Sequence, residues 1–288
     1  MQDMADLIHR LNQSGKRLSK GHRKIADYIV QHYDKAVFMT ASTLGESVGV
    51  SESTVVRFAG ALGYEGYPQL QRAMQELVRH RLTASQRFEM ATELRQEEVL
   101  QTVLRTDMQN IRSTIEGMDE KVFESVVRRI VNAKSIYVVG VRSASMLANF
   151  LAYYLHFVFD DVHLPPDMSV DIFEQISRIG PGDVLVGISF PRYSRRTLEA
   201  MNFARSRGAQ VIGISDGPMS PLVEASDECR IASTDMASFV DSLAAPLSLI
   251  NALIVAIGLE RKEELSDHFR QLEEIWQQNH IYLERDKT

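Results

Sequence analysis

The chain has 288 residues, of which 44% are hydrophobic and 24% are charged, so it can bury a sizeable core and has room for two domains. Its single cysteine excludes an internal disulfide framework and a cysteine-based zinc site. That cysteine usage is typical of a reducing compartment, and the amino terminus has no apolar core of signal-peptide length. We therefore expect a cytoplasmic protein.

The formal net charge of −6 is unevenly distributed along the chain. Residues 1–80 hold ten Lys or Arg and eight Asp or Glu, whereas the remaining residues hold 22 and 30. This difference indicates a weakly basic head and an acidic body with different partners.

The first part of the chain is predicted to be helical, because apolar residues recur there at helical spacing. The predicted helical segments are residues 19–37, 41–48, 51–62, 66–82, 97–115 and 119–133. Gly117 marks a break between the last two. We predict a head of residues 1–80, a helical connector of residues 81–118 and a second domain of residues 119–288.

From residue 135, short β-branched runs alternate with longer helical segments. The predicted strands are residues 135–140, 161–165, 183–189, 210–215 and 228–232. Apolar strands joined by helices are typical of a parallel sheet that is covered on both faces. The predicted fold class is therefore multidomain, with an all-α head followed by an α/β domain.

The longest apolar run, Leu243 to Leu259, raises the question of a transmembrane segment. Pro246, Ser248 and Asn251 interrupt it, and it is short for a bilayer. A buried helix is the better interpretation.

The segment "ASTLGESVGVSESTVVRFAGAL" is predicted to form a helix-turn-helix. Thr40 can cap the first helix, Gly49 allows the tight turn, and Ser51 can cap the second helix. Val55, Phe58, Ala59 and Leu62 then share the inner face of the second helix. That helix would place its amino-terminal end in a DNA major groove.

Residues at the amino end of this second helix are candidate DNA contacts. Ser51 and Thr54 suit phosphate groups, whereas Glu52, Ser53 and Arg57 can reach base edges. Further backbone contacts are predicted from a basic stretch that comprises Lys16, Arg17, Lys20, Arg23 and Lys24. The alternative is an ordinary amphipathic helix with a serine cap.

Two loops that follow predicted strands are candidate anion-binding elements. "VVGVRSAS" places Arg142, Ser143 and Ser145 at a strand-to-helix turn, and "ISFPRYS" places Ser189 and Ser194 at another. Such turns present backbone amides, hydroxyls and a helix dipole to an anion at the carboxyl ends of the strands.

The chain resembles the RpiR family of bacterial transcriptional regulators, in which a helix-turn-helix domain precedes a sugar isomerase (SIS) domain. The resemblance is carried by "LGESVGVSESTVVRFAGALGYEGYPQLQ", "VVGVRSAS", "VGISFPRYSRRTLEA" and "GISDGPMSPLVEASD". It implies a five-stranded parallel sheet, a homodimer or homotetramer, and sequence-specific binding to a double-stranded DNA operator. It also implies that a phosphorylated sugar or sugar acid modulates this binding. We expect no further cofactor, and no metal site, because the eight histidines show no metal-binding spacing.

The second loop departs from the family pattern of Ser, any residue, Ser, Gly, any residue, Thr. Ser189 keeps the first position and Ser194 replaces the Thr, but Pro191 replaces the second Ser and Arg192 replaces Gly. Proline lacks an amide donor, and the lost glycine removes conformational freedom. The arginines that can replace the missing contacts are Arg142, Arg192, Arg195 and Arg196. For the last two, solvated helix surface is an equally good interpretation.

A third loop, "DGPMSPLVEASD", resembles the remaining ligand-side loop of the family and places Ser220 and Glu224 at its rim. We favour a helix cap for Ser220 and an effector contact for Glu224. The alternative function is a phosphosugar isomerase that uses Glu224 as its base, but no partner histidine can be assigned and the head would have no use. We therefore predict a regulator and not an enzyme, with no catalytic residue.

Overall fold

The computed structural model describes residues 19–37, 39–78, 83, 85, 87–88, 96–165, 171–236 and 239–282. The chain divides into two compact units, Met1–Gln96 and Glu97–Thr288. The second unit begins within the predicted connector, because the helix at its start packs on the α/β domain. The domain limits at residues 80 and 118 otherwise stay a prediction.

The described part of the first unit is helical, as predicted. Its helices are α1 (Lys20–Gln31), α2 (Tyr33–Ala36), α3 (Ala41–Val48), α4 (Glu52–Ala61) and α5 (Tyr67–Val78). They surround one apolar core, in which Ile25, Leu44, Val55, Phe58 and Leu70 are fully buried. Burial of these large side chains is the main favourable contribution to the stability of the head.

A 3-10 turn at Gln96–Glu98 spans the boundary between the units, and the second unit continues as an α/β domain. Its strands are β1 (Ile136–Gly140), β2 (Val162–His163), β3 (Val184–Ile188), β4 (Gln210–Ser215) and β5 (Glu228–Ile231). Its helices are α6 (Val99–Glu116), α7 (Glu120–Val131), α8 (Ala144–Leu155), α9 (Ile172–Gln175), α10 (Arg195–Ser206), α11 (Pro221–Ala225), α12 (Ala244–Glu260) and α13 (Lys262–Gln278).

The five strands form one parallel sheet in the order β2-β1-β3-β4-β5, which confirms the predicted fold class. Each face of the sheet carries its own apolar core. Val138 and Val186 belong to the cluster that also includes residues of α7, α8 and α12. Val139 and Leu185 belong to the cluster on the other face, with residues of α9, α10 and α11. Adjacent residues of one strand thus enter opposite cores.

Helix α12 corresponds to the longest apolar run, and it packs into the domain as predicted. Leu249, Ile250, Leu253 and Ile257 are buried in the core that this helix shares with α8. No single helix among the described residues is long and apolar enough to cross a membrane. Taken together, α12 and α13 have sufficient length and apolar composition, but they meet at a bend of 99°.

Candidate DNA-binding and effector sites

Helices α3 and α4 form the predicted helix-turn-helix. The hydroxyl of Thr40 accepts a hydrogen bond from the Thr43 amide and caps α3. Gly49 ends α3 in the left-handed region with φ of 72°, where residues with a β-carbon are strained. A β-carbon on Gly45 would lie 2.8 Å from the carbonyl oxygen of Val50, so the close turn also requires glycine there.

The two faces of α4 divide as the sequence predicts. Val55 and Phe58 are fully buried in the head core, whereas Glu52, Ser53 and Arg57 are exposed. The Arg57 Nε donates a 3.2 Å hydrogen bond to the carbonyl oxygen of Ser53, one turn earlier. The exposed face of α4 therefore presents an acid, a hydroxyl and a guanidinium near its amino-terminal end.

Ser51 occupies the capping position of α4, as predicted. Its hydroxyl, however, accepts no hydrogen bond from a backbone amide of the helix, so the predicted side-chain cap is not formed. The Ser51 hydroxyl instead lies 3.0 Å from that of Ser53 and 2.8 Å from that of Thr54. These hydroxyls satisfy one another at the positive end of the helix dipole. Such a cluster suits a phosphate group, because both amides and hydroxyls can donate to it.

The first turn of α1 lies beside the first turn of α4. A β-carbon on Gly21 would lie 3.3 Å from the methyl group of Thr54, so glycine allows this close approach. Lys20, Arg23 and Lys24 are exposed on α1, whereas Lys16 and Arg17 lie outside the described residues. Gly21 could not be singled out from the sequence, since a glycine within a helical pattern has no distinctive signal.

The two candidate effector loops are neighbours at the carboxyl edge of the sheet. β1 pairs with β3 in a register that places Gly140 opposite Ile188, the last residues before the loops. β1 also lies beside β2, so the strand order reverses between β1 and β3. Ligands of open α/β sheets bind in the crevice at such a reversal.

The first loop holds Arg142 in a conformation that ordinarily favours glycine. Arg142 has φ of 60° and an exposed side chain. Its carbonyl oxygen accepts a 2.6 Å hydrogen bond from the Ser145 hydroxyl. The Ser143 hydroxyl donates to a carboxylate oxygen of Asp241, 3.2 Å away. Two of the three predicted loop residues thus shape the loop, and Arg142 projects from it.

The second loop is closed by its two predicted serines. The Ser189 hydroxyl accepts from the Ser194 amide at 3.0 Å, and the Ser194 hydroxyl caps α10 by accepting from the Thr197 amide at 3.3 Å. In these bonds each hydroxyl is the acceptor, so its own proton remains able to donate to an anion. Arg192 is exposed between them, and it forms no ion pair with another described residue.

The remaining arginine candidates differ in what they contact. Arg195 is 90% exposed and pairs with Glu199 one helical turn later, at 2.7 Å. This is the geometry of a solvated helix surface, the alternative that we considered for it. Arg196 is also exposed on α10.

The backbone contacts of Glu224 do not support its assignment to the effector site. Arg205, in the last turn of α10, donates a 3.0 Å hydrogen bond to the Glu224 carbonyl oxygen, and its guanidinium lies 3.8 Å from Asp227. Asp227 directly precedes β5, at the edge where the strands begin. Helix α11 runs away from the carboxyl edge, so its length carries Glu224 toward the opposite edge.

Polar residues at the end of β4 and directly after it complete the carboxyl edge, and the sequence pattern did not single out Ser215 and Asp216. The Tyr193 hydroxyl donates to Asp216 at 2.9 Å, which places a carboxylate beside the second loop. The Ser215 hydroxyl lies 2.8 Å from the Ser189 carbonyl oxygen and 2.6 Å from the Ser220 hydroxyl. Ser220 caps α11, as we favoured. The position of Asp216 directly after a strand was the available signal.

Neither a metal-ion site nor a reactive thiol is present among the described residues. No group of three or more His, Cys, Asp or Glu among them could hold a metal ion. Burial raises the pKa of the Cys229 thiol to about 11, so the thiol is protonated at neutral pH and is a poor nucleophile. The polar groups at the carboxyl edge are suited to binding an anionic ligand.

A helix-turn-helix followed by a parallel α/β domain defines a class of ligand-responsive DNA-binding proteins. Comparison with known families supports both parts. Residues 129–256 match the SIS domain, and residues 5–79 match the helix-turn-helix domain of the rpiR family. The chain therefore belongs to the RpiR family, as an HTH-type transcriptional regulator.

Known proteins match either most of this chain or its second part. HTH-type transcriptional regulator HexR from Pseudomonas aeruginosa is 26% identical over 279 residues, which cover 94% of this chain and 95% of the relative. The sugar isomerase domain of an RpiR transcription factor from Sphaerobacter thermophilus is 22% identical, with a TM-score of 0.59, and the match covers 62% of this chain and 99% of that domain. The Vibrio vulnificus NanR protein, complexed with ManNAc-6P, is 23% identical, with a TM-score of 0.57 and coverage of 94% and 97%.

Proposed function

We propose that this regulator binds operator DNA through the amino end of α4 and senses a phosphorylated sugar or sugar acid between the loops after β1 and β3. The observation that carries this proposal is the register of β1 and β3, which places Gly140 opposite Ile188. That register puts Arg142 and the 189–194 loop side by side at the reversal of strand order, where ligands of such sheets bind.

For DNA, we assign phosphate contacts to Ser51, Thr54, Lys20 and Arg23, and base contacts to Glu52, Ser53 and Arg57. The exposed face of α4 and the adjoining first turn of α1 support this assignment. Arg57 can bind a guanine through two parallel hydrogen bonds once it releases the Ser53 carbonyl. The acidic second unit does not prevent binding, because counterion release depends on basic groups close to the phosphates.

For the effector, we assign one anionic group to the hydroxyls of Ser189 and Ser194 and a second to Arg142 and Arg192. Two arginines at one edge favour a ligand with a carboxylate in addition to its phosphate. Ser143 and Ser145 support the first loop. Asp216 is suited to accept hydrogen bonds from sugar hydroxyls, because an ionised carboxylate only accepts. NanR, which was solved with ManNAc-6P, provides a precedent for a phosphorylated sugar.

The isomerase alternative loses its candidate base, since Glu224 does not lie at the carboxyl edge. The relatives are named as transcriptional regulators, and the fold alone does not decide between the two functions.

We further propose that the regulator acts in the cytoplasm as a homodimer or homotetramer. Two recognition helices would then contact half-sites that are separated by about 34 Å for each turn of DNA. Small rotations between subunits could then prevent both helices from binding simultaneously.

A mobility-shift assay on the DNA that flanks the protein's own gene tests the proposal. We expect specific retardation that changes when one member of a panel is added, with the panel comprising glucose 6-phosphate, N-acetylmannosamine 6-phosphate and 6-phosphogluconate. Turnover of a panel member would favour the isomerase. Retardation that no phosphorylated sugar or sugar acid changes would contradict the effector assignment.

A further inference from the structure

The chain that follows β5 touches both the first effector loop and helix α6. Asp241 accepts a hydrogen bond from the Ser143 hydroxyl at 3.2 Å. The next residue, Ser242, donates to a carboxylate oxygen of Asp107 on α6 at 2.6 Å. Two consecutive residues therefore join the candidate effector loop to the helix that follows the first unit in sequence.

A second set of contacts ties the same chain to α6. Asn110 is fully buried, and its side chain forms a matched pair of 2.9 Å hydrogen bonds with the backbone of Asp235. The Asn110 side-chain oxygen also accepts from the Ser233 hydroxyl at 3.0 Å. One turn later, the buried Thr114 hydroxyl accepts from the Ser233 amide at 2.9 Å. Each of these polar groups would be left unsatisfied if α6 and this chain moved apart.

We infer that the chain after β5 transmits effector occupancy to α6, and through α6 to the DNA-binding head. The inference rests on the proposed function. An anion bound at Arg142 would compete with Asp241 for the Ser143 hydroxyl and would repel its carboxylate. Displacement of Asp241 moves Ser242 and its bond to Asp107. The buried contacts of Asn110 make α6 follow the chain instead of separating from it.

Full-length variants that cut the link without touching the effector site test this inference. Ser242→Ala and Asp107→Ala remove the bond between the chain and α6. Asp107→Asn keeps an acceptor oxygen for Ser242. Gln109→Ala is the matched control, because Gln109 is exposed on α6 and, among the described residues, its side chain bonds to Ser113 of the same helix alone. DNA affinity is measured on a fragment selected from a random pool by the wild type, with and without each sugar phosphate of the panel.

In the wild type we expect the active panel member to change DNA affinity about 5-fold or more, and DNA to change the affinity for that compound by the same factor. Ser242→Ala and Asp107→Ala should keep both individual affinities within about 2-fold and reduce the mutual factor to near one. Asp107→Asn and Gln109→Ala should retain the wild-type factor.

If Ser242→Ala and Asp107→Ala both keep the wild-type coupling between effector and DNA, the inference is overturned. The proposed function would survive that result, because the wild type would still bind DNA and respond to the effector. A wild type that binds DNA but responds to no sugar phosphate overturns both. Calorimetric unfolding of each variant shows whether it is folded. If Asp107→Ala is unstable, Ser242→Ala, which deletes one hydroxyl, provides the coupling test by itself.

Discussion

The Ser145 hydroxyl donates a hydrogen bond of 2.6 Å to the carbonyl oxygen of Arg142, whose φ is 60°. The bond supports a left-handed backbone at a position that carries a long charged side chain. A residue with a β-carbon is disfavoured there by about 1–2 kcal/mol. The chain thus keeps a glycine-like turn while it presents a guanidinium at the effector edge.

Replacement of Arg142 by glycine should change protein stability and effector affinity in opposite directions. We expect Arg142→Gly to raise the free energy of unfolding by up to about 1 kcal/mol, because glycine accepts positive φ, and yet to weaken effector binding. Arg142→Lys keeps the strain and a positive charge and is the control. Calorimetry and binding titrations of the full chain measure the two quantities. A glycine variant with full effector affinity would remove Arg142 from the site.

Arg192 and Arg195 provide a matched pair on and beside the second loop. Arg192→Ala should reduce effector affinity by about 10- to 100-fold, since hydrogen bonds to charged groups contribute about 1.5–3 kcal/mol. Arg195→Ala should change it by less than about 2-fold, because Arg195 is 90% exposed and paired with Glu199. Isothermal titration with the active sugar phosphate checks both. Equal losses in the two variants would contradict the assignment of Arg192.

Arg57 and Lys20 should affect DNA binding differently. Arg57→Ala should lower discrimination between the operator and its base-substituted variants by about 1–3 kcal/mol. Lys20→Ala should weaken binding to all sequences alike and reduce the slope of log affinity against log salt concentration by about one. Binding isotherms on specific and random DNA at several salt concentrations separate the two. If both variants shift the isotherms on specific and random DNA identically, the roles assigned to Arg57 and Lys20 are contradicted.

The close packing at the turn between α3 and α4 should make the head sensitive to an added methyl group at Gly45. Gly45→Ala places a methyl group 2.8 Å from the Val50 carbonyl oxygen and should destabilise the head by about 1–3 kcal/mol. Gly60→Ala is the matched control: beyond the backbone of α4 itself, no atom of the described residues lies within 4 Å of its added carbon, and it should be neutral or stabilise α4 by up to about 1 kcal/mol. Hydrogen exchange of residues 41–62 in the full chain measures both effects. If Gly45→Ala exchanges at the same rates as the wild type, the close contact between position 45 and the Val50 carbonyl oxygen is contradicted.

The buried Tyr67 should make head stability sensitive to high pH. Its hydroxyl donates to the Met39 carbonyl oxygen at 2.7 Å, and burial raises its pKa to about 12. The folded-state pKa exceeds the unfolded value of about 10, so the stabilisation is complete below pH 10 and is lost as pH rises toward 12.

Tyr67→Phe removes this titration together with the hydrogen bond. We expect it to cost about 1 kcal/mol at neutral pH. The stability advantage of the wild type should shrink by about 1 kcal/mol between pH 10 and pH 11. Calorimetric scans of both full-length proteins at pH 8, 10 and 11 measure the difference. A constant difference across this range would contradict the raised pKa.

Local pattern was sufficient for most of the fold. The segment predicted as the first helix of the helix-turn-helix, residues 41–48, is α3, and all five predicted strands are present. Val55 and Phe58 were correctly placed in the core by helical spacing. These features depend on side-chain periodicity and on turn residues such as Gly49, which act over a few residues and can therefore be read from the sequence.

The sequence by itself determined that two loops rich in arginine and serine follow two buried strands. Only the tertiary structure decided that those strands are neighbours, that Glu224 lies toward the other edge, and that Asn110 pairs with the backbone of Asp235. The physical reason is that strand order, helix length and buried hydrogen bonds join residues far apart in the chain. Their partners are chosen when the sheet and its helices pack together, and no local spacing records that choice.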